Sequence, residues 1–550
     1  MKNFILKHSS LKKISSFNIL IIFSFQLWGS PIQTNVTPLK TVYKNDFYIG
    51  CLLSYRHIGF SSDPVVPGQS AVLDTNGGYL IKFHMNSMSP GNNMKTAYTV
   101  DLTASAAAYT AAATPEAKDS IDKHPIVRFN GDLIAQLNWA KRQGFTFRGH
   151  TLVWHASAPT AFFRSGYTDT GTRLTKEVMQ VRMENYIEEV IRLIHENWSG
   201  LLSAIDVVNE AVNDNGTFRT NSEWYTTFGD SSFVIRAFEY ARKYTVQYGE
   251  TQIKLYYNDY NTDNPAKADG IVKLVTPIYE GGYLDGIGMQ EHNSLTSPGA
   301  ANFIASYDKF YPVCTEMAVT ELDVNTGSGT NTPSASVLEA QANQYANLFK
   351  CFVERSYFSG RGKIINVSKD GLNDQYTFIT NQATSLWDTR DQSKPAFYAV
   401  MNVGLDYNRL DTLIRYAQGL NQSDYTVEEW ANIQTALSYA QNILATNYSS
   451  TVSAVSDLEK AISYILDPSQ VIYIGIKEIQ DKIIMSTYNN VIHLNNLPGR
   501  SKISVVALNG TIIQMIYSTS NSLQIPFKTP CIVSVSYGNE VKSFKVFQGK

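Results

Sequence analysis

Cysteine is scarce, with four residues in a chain of 550, and that excludes a fold held together by disulfides. Cys314 and Cys351 could still pair in an oxidising compartment; inert buried thiols are the other reading. Charge is balanced at a formal net −2, and no basic run appears beyond the first few residues. A nucleic-acid partner, which needs a concentrated positive surface, is therefore not expected. There is no His-Glu-x-x-His helix and no cluster of His and Cys, so neither a metal nor a cofactor is expected. Long apolar runs are missing too. The stretch Phe17–Trp28 (FNILIIFSFQLW) falls short of the roughly 20 apolar residues of a membrane-spanning helix. It follows Lys2, Lys7, Lys12 and Lys13 and precedes Gly29 and Ser30, the order of a secretory signal. Residues 1–30 are expected to direct export, with an uncleaved anchor as the alternative.

What the chain does have is apolar material, 43% hydrophobic residues with 33 Tyr, enough for two or three globular domains. Between residues 46 and 405, short apolar runs alternate with helical periodicity. Candidate strands cover 47–54, 83–89, 145–154, 203–210, 253–260, 285–292, 317–324 and 363–368, and eight strands separated by helices predict an α/β fold, a (β/α)8 TIM barrel. A stripe of Met183, Ile187, Val190, Ile191 and Ile194 predicts an outer helix over 183–198. Residues 408–467 read as three short helices. Their stripes are Leu410, Leu413, Ile414 and Ala417, then Trp430, Ile433, Leu437, Ala440 and Leu444, then Val455, Leu458, Ile462 and Ile465. Thr426 and Glu429 have capping-box spacing. Residues 470–550 carry strand signals with turns at Asn509-Gly510 and Gly538-Asn539, which predict a small β-sandwich.

Polar chemistry collects at strand ends. In SAIDVVNEAVN (203–213) an apolar run stops at Asn209 and Glu210; in MAVTELDV (317–324) another stops at Glu321 and Asp323. Asn86, His150, Trp154, Asn258, Tyr260, Gln290 and His292 end other runs, and parallel barrel strands bring such ends to one mouth. Cleaving a glycosidic bond needs one carboxyl group that is protonated, to donate to the leaving oxygen, and one that is ionised, to attack or to activate water. Glu210 and Glu321 supply that pair.

The blocks RGHTLVWH (148–155), DVVNEA (206–211), LYYNDYN (255–261), DGIGMQEH (285–292) and TELDV (320–324) resemble, in order, the signature blocks of family 10 glycoside hydrolases, mostly endo-β-1,4-xylanases. The resemblance spans about residues 46–405. It implies that Glu210 is the general acid/base and Glu321 the nucleophile of a retaining mechanism, with carboxyl groups about 5–5.5 Å apart. It also implies that Asn209 hydrogen-bonds the sugar 2-OH, that His292 hydrogen-bonds the nucleophile, and that Asp323 orients that imidazole. Asn92, Lys95, His150 and Trp154 match residues lining the sugar subsites on the non-reducing side, and Gln290 is grouped with the substrate contacts. Asn258 and Tyr260 fall where the family meets the leaving-group sugar, although Tyr260 could equally be packing of the mouth. The helical stretch is similar to FIVAR-type modules found beside secreted carbohydrate-active enzymes, with an anonymous spacer as the alternative. The last domain is similar to the sorting domains of the Bacteroidetes type IX secretion route, with Lys542–Phe547 as the final basic strand; a glycan-binding module is the competing reading.

Four positions depart from the family pattern. Gly91 stands where a Glu is usual before Asn92, Ser157 where a Gln is usual, and KDGLNDQYTF (369–378) places Asp370 and Phe378 where two Trp residues normally wall the sugar beside the scissile bond. The expectation is a secreted, retaining endo-β-1,4-xylanase with a monomeric catalytic domain, acting on xylan or a related plant β-glycan through an altered cleft. A surface protein that binds glycan without hydrolysis, or a clan-related glycosidase acting on another β-linked polysaccharide, is the competing expectation.

Overall fold

The computed structural model describes residues 32–53, residue 57, residues 75–446 and seven strands between 484 and 546. The expected export signal at 1–30, the helical stripe at 455–465, residues 470–483 and both hairpin turns lie outside the described residues.

Strands β1 (Tyr48–Leu53), β2 (Ser87–Pro90), β3 (Thr146–Trp154), β4 (Leu202–Asn209), β5 (Lys254–Asp259), β6 (Gly286–Met289), β7 (His292–Ser294), β8 (Glu316–Asn325) and β9 (Ile364–Lys369) form one parallel sheet. Pairing of β6 with β8 closes it. β6 and β7 are two halves of one barrel strand interrupted at Gln290 and Glu291, so the architecture is a closed (β/α)8 barrel. Helices cover the outside, which is why strand residues such as Ile205, Val207 and Val208 are buried and the runs read as continuously apolar.

Two elements differ from their sequence boundaries. Residues 83–86 do not belong to a strand: Thr75–His84 is a helix whose buried Leu80, Ile81 and His84 have helical spacing. Asn86 therefore precedes β2 and accepts the Ile49 N–H at 2.9 Å, at the opposite end of the strand from the catalytic mouth. The outer helix runs over Lys176–Trp198, seven residues longer than the stripe indicated, because Thr175 caps it and Met179 extends its buried face.

Register sets the site. His150 pairs with Asp206, Asn209 with Asn258, and His292 with Asp323. At Gly288 a Cβ would lie 2.3 Å from Asn258 Oδ1, so the glycine of DGIGMQ is what lets the Asn258 amide lie against the neighbouring strand.

Beyond the barrel, one unbroken helix, Pro395–Gln418, crosses the 405–408 boundary. Its buried Leu410, Ile414 and Ala417 are followed by a second helix, Val427–Thr446, with buried Ile433, Leu437 and Ala440. Thr426 and Glu429 form a reciprocal capping box, each side chain accepting from the other residue's backbone N–H. The C-terminal strands β10 (Ile484–Tyr488), β11 (Val491–Asn495), β12 (Ser501–Ala507), β13 (Ile512–Ser518), β14 (Ser522–Pro526), β15 (Cys531–Tyr537) and β16 (Glu540–Val546) form two antiparallel sheets, β10-β11-β14 and β13-β12-β15-β16. Ile492 and Ile525 of one meet Ile503 and Val533 of the other in a shared core. β13, IIQMIYS, lacks clean alternation and pairs with β12 across a register shift at Val505 and Val506.

All four cysteines are free and buried. Burial pushes the Cys51 and Cys314 thiols up to about 12 and Cys351 to about 11, removing the reactive thiolate. An exposed-thiol reagent such as DTNB is expected to leave all four unreacted in the native protein and to titrate them on unfolding without reductant.

Candidate active site

Glu210 and Glu321 stand at the C-terminal ends of β4 and β8, joined by two side-chain amides. Asn209 Nδ2 donates to Glu210 Oε1 at 3.2 Å, and Asn209 Oδ1 accepts from Asn258 Nδ2 at 2.9 Å. The same Asn258 Nδ2 donates to Glu321 Oε1 at 3.1 Å. Asn258 is fully buried, so it is not placed at a leaving-group sugar as the sequence suggested. It is a strut between the two carboxyl groups, oriented in turn by Thr320, whose hydroxyl donates to its Oδ1 at 2.7 Å.

Glu210 is held from several sides. Trp154 Nε1 donates to Oε2 at 2.9 Å and Gln290 Nε2 to Oε1 at 2.9 Å, so these two residues, expected to meet substrate, also position the Glu210 carboxyl group. The Glu210 backbone has φ +57, the left-handed region a non-glycine residue rarely occupies without restraint. The restraints are hydrogen bonds from its N–H to Asn258 O at 2.9 Å and from Arg219 Nε to its carbonyl at 2.8 Å.

Glu321 has a different environment. Burial favours its neutral form, but the neighbouring His292 imidazole and the further positive charges of His150 and Arg148 outweigh that and hold the carboxyl well below the ordinary carboxylate range. His292 Nε2 lies 3.6 Å from Glu321 Oε2, and its Nδ1 is 2.8 Å from Asp323 Oδ2. Burial opposes charge on His292, yet its hydrogen bond with Asp323 and the negative charge of Glu321 beside it raise it well above the ordinary imidazole value. The three groups form a carboxylate–imidazolium–carboxylate row.

Around this pair, Lys95 Nζ donates to Asn92 Oδ1 at 2.8 Å and sits 4.4 Å from the Trp154 ring centre. Burial lowers the Lys95 ammonium, against the pull of Glu321, Glu210 and Asp370, which places it within the field of both catalytic carboxyls. His150 is buried, its Nδ1 2.7 Å from Asp206 Oδ2. The Tyr260 hydroxyl accepts from Arg219 at 3.2 Å and Lys267 Nζ lies 3.2 Å from its ring centre. Sequence reasoning missed Asp206 and Arg148, a buried ion pair inside the barrel; the signal was there, a charged residue in each of two otherwise apolar strands. It also missed Arg219, which lies on a loop with no periodicity.

A (β/α)8 barrel carrying two bridged carboxyl groups in unlike environments at its C-terminal mouth is the framework of a glycoside hydrolase. The sequence profile of glycosyl hydrolase family 10 matches residues 38–403, and the chain belongs to that family. It is 35% identical over 285 residues to endo-1,4-beta-xylanase Y of Acetivibrio thermocellus, a match covering 48% of this chain but only 26% of that larger protein. Among solved structures, the CBM22 and family 10 modules of a Clostridium thermocellum endo-1,4-beta-D-xylanase, complexed with xylohexaose, superpose with TM-score 0.55 at 29% identity, covering 66% of this chain and 67% of that one. An intracellular xylanase from Thermoanaerobacterium saccharolyticum superposes with TM-score 0.54 at 27% identity, covering 67% and 99%.

Proposed function

We propose that the protein is a secreted endo-β-1,4-xylanase that cleaves internal xylosidic bonds by double displacement with retention. The observation that carries this reading is the contrast between the two carboxyl groups: Glu321 is kept ionised by its imidazolium, while the Glu210 carboxyl group accepts from Trp154, Gln290 and Asn209, with His155 Nδ1 4.0 Å away. Glu321 attacks the anomeric carbon as Glu210 protonates the departing glycosidic oxygen. Glu210, now a carboxylate, then takes a proton from the water that displaces Glu321. The known substrates of the relatives above support xylan, and the lysine-rich, apolar leader sequence supports export. The helical stretch is read as a FIVAR-like spacer and the sandwich as a sorting domain.

The cleft is read as altered. Among the described residues, no atom beyond its chain neighbours lies within 4 Å of a Cβ built at Gly91, and Phe378 is 78% exposed, so side groups of the polysaccharide are the natural occupants of the room at Gly91. Decorated xylo-oligosaccharides are expected to be cleaved faster than undecorated ones of equal length; equal rates would remove this part of the reading. The function itself is tested by reducing-sugar release from glucuronoxylan, arabinoxylan and carboxymethylcellulose. NMR of the first-formed anomer supplies the stereochemistry. Release from a xylan with the β-anomer first supports the proposal. Binding without release from any of the three would make the protein a glycan-binding one, and release from carboxymethylcellulose alone would move it to another β-linked substrate.

A further inference from the structure

Asp370 ends β9, beside Lys369, at a place where a tryptophan is usual. Its carboxyl group does not point to solvent; the residue is 5% exposed. Oδ2 accepts the Phe378 N–H at 2.9 Å and the Thr377 hydroxyl at 3.3 Å. Between them the chain doubles back at Gly371, with φ +64 and so little room that a Cβ there would lie 1.5 Å from the Tyr376 carbonyl oxygen. The loop from 371 to 378 is thus tied at its far end to the residue that begins it.

The same carboxyl group faces the catalytic row. Ligand-type atoms of His292, Asp323 and Asp370 all lie within 4.8 Å of one another. The His292 and Phe378 rings are 5.9 Å apart at 46°. Asp370 therefore bonds the backbone that carries an exposed aromatic ring over the site, and its carboxyl group lies within 4.8 Å of the imidazole beside Glu321.

We propose that Asp370 is a positioning residue for the hydrolytic reaction, latching the 371–378 loop over His292 and adding a second anion beside the His292–Asp323 pair. The proposal rests on the reading of Glu321 as the nucleophile. Loop and imidazole are then placed by one side chain, in a cleft that lacks the usual indole to do so. The charged groups that surround Asp370 are His292 from β7, Glu321 and Asp323 from β8, Lys369 on its own strand, and Lys95 across the cleft. Burial and the Asp323 charge push the Asp370 carboxyl up to about 6, with His292 opposing them and Glu321 adding to the rise. Above that pH it is an anion facing the imidazolium.

The test separates the two roles on the full-length chain. Asp370→Asn keeps an oxygen to accept the Phe378 N–H but removes the charge; Asp370→Ala removes both; Thr377→Val removes one strand of the latch and leaves the charge. The first readout is titration of the His292 ring by NMR with histidine-labelled protein, assigned by the signal lost in His292→Gln. The second is kcat and KM on xylohexaose across pH. Loss of an adjacent anion destabilises an imidazolium, so Asp370→Asn is expected to lower the His292 titration midpoint by about one pH unit with KM little changed. Asp370→Ala is expected to raise KM as well and to lose roughly tenfold in kcat/KM, the size of one hydrogen bond to a charged group. An unchanged His292 midpoint in Asp370→Asn would overturn the proposal, as would unchanged KM in Asp370→Ala. If the wild type hydrolyses nothing while the His292 midpoint still moves, the function is wrong and the positioning stands. Should Asp370→Ala not fold, Asp370→Asn and Thr377→Val carry the test.

Discussion

Glu321→Ala is expected to lower kcat/KM on xylan by on the order of 10⁴-fold or more, because under the proposed double displacement it deletes the group that forms the glycosyl-enzyme bond and no neighbouring carboxylate can take its place. Asp323 is committed to His292 Nδ1 at 2.8 Å, and Asp370 to the loop that carries Phe378. The check is kinetic and chemical together. Added azide or formate should restore turnover of an activated aryl xyloside in the variant, since a small anion can enter where the carboxylate was, and with azide the product should have inverted configuration. Failure of any anion to restore turnover, in a variant that still binds xylan, would count against Glu321 as nucleophile. The wild-type pH profile carries a related mark. Glu321 is held well below the ordinary carboxylate range, so its ionisation should not limit activity until the pH falls far below 4. The same depression is a stability statement: a folded pKa below the unfolded one contributes stability that is full above about pH 4.3 and is lost as pH falls through the folded value.

Glu210→Ala is expected to cost roughly 10²–10⁴-fold on xylan, the range for loss of a general acid, and to cost much less on substrates that depart without help. The physical reason is that a sugar alkoxide is a poor leaving group and needs a proton in the transition state, whereas a nitrophenolate does not. On 4-nitrophenyl xylobioside the variant should form the covalent intermediate and then stall, because the base that activates water is missing too. Burst kinetics, a trapped mass increment on the protein, and azide rescue with retained configuration would establish the assignment. An equal loss on both classes of substrate would argue that Glu210 acts by binding, and that the grip of Trp154 and Gln290 has a different purpose.

The two variants are also distinguishable in what they leave behind. Removing Glu321 deprives Asn258 Nδ2 of one acceptor and takes away the negative charge 3.6 Å from His292 Nε2, so the imidazolium loses part of its support. Removing Glu210 frees the Trp154 and Gln290 donors instead. Asn258 still links Asn209 to Glu321, so the nucleophile's own setting is retained. A Glu210 variant that kept the low acid limb of the wild type would be consistent with that independence.

The sequence by itself determined the strand ends and therefore the chemistry. An apolar run terminating in Asn209-Glu210, and another in Glu321 and Asp323, can be read without coordinates, because a strand buried on both faces must be apolar until it reaches the mouth. The periodic stripe 183–194 likewise marked an outer helix, since a helix shows one face to the sheet and its pattern is local. Other features were decided only by tertiary structure. That Asn258 is a buried strut, that Gln290 and Trp154 donate to Glu210, and that Arg148 and Asp206 pair inside the barrel all depend on register between strands far apart in sequence. Helix continuity across 405–408 is of the same kind: Pro395–Gln418 is one helix, and apolar periodicity alone does not say whether two adjacent stripes belong to one helix or two. Asp370 is the sharpest case. Its sequence neighbours mark a departure from the family, but only the fold shows its carboxyl turned inward, tied to Phe378 and brought within reach of His292 and Asp323. Direction of a side chain at a strand end is set by what it can bond to across the sheet, and that is information no single segment contains.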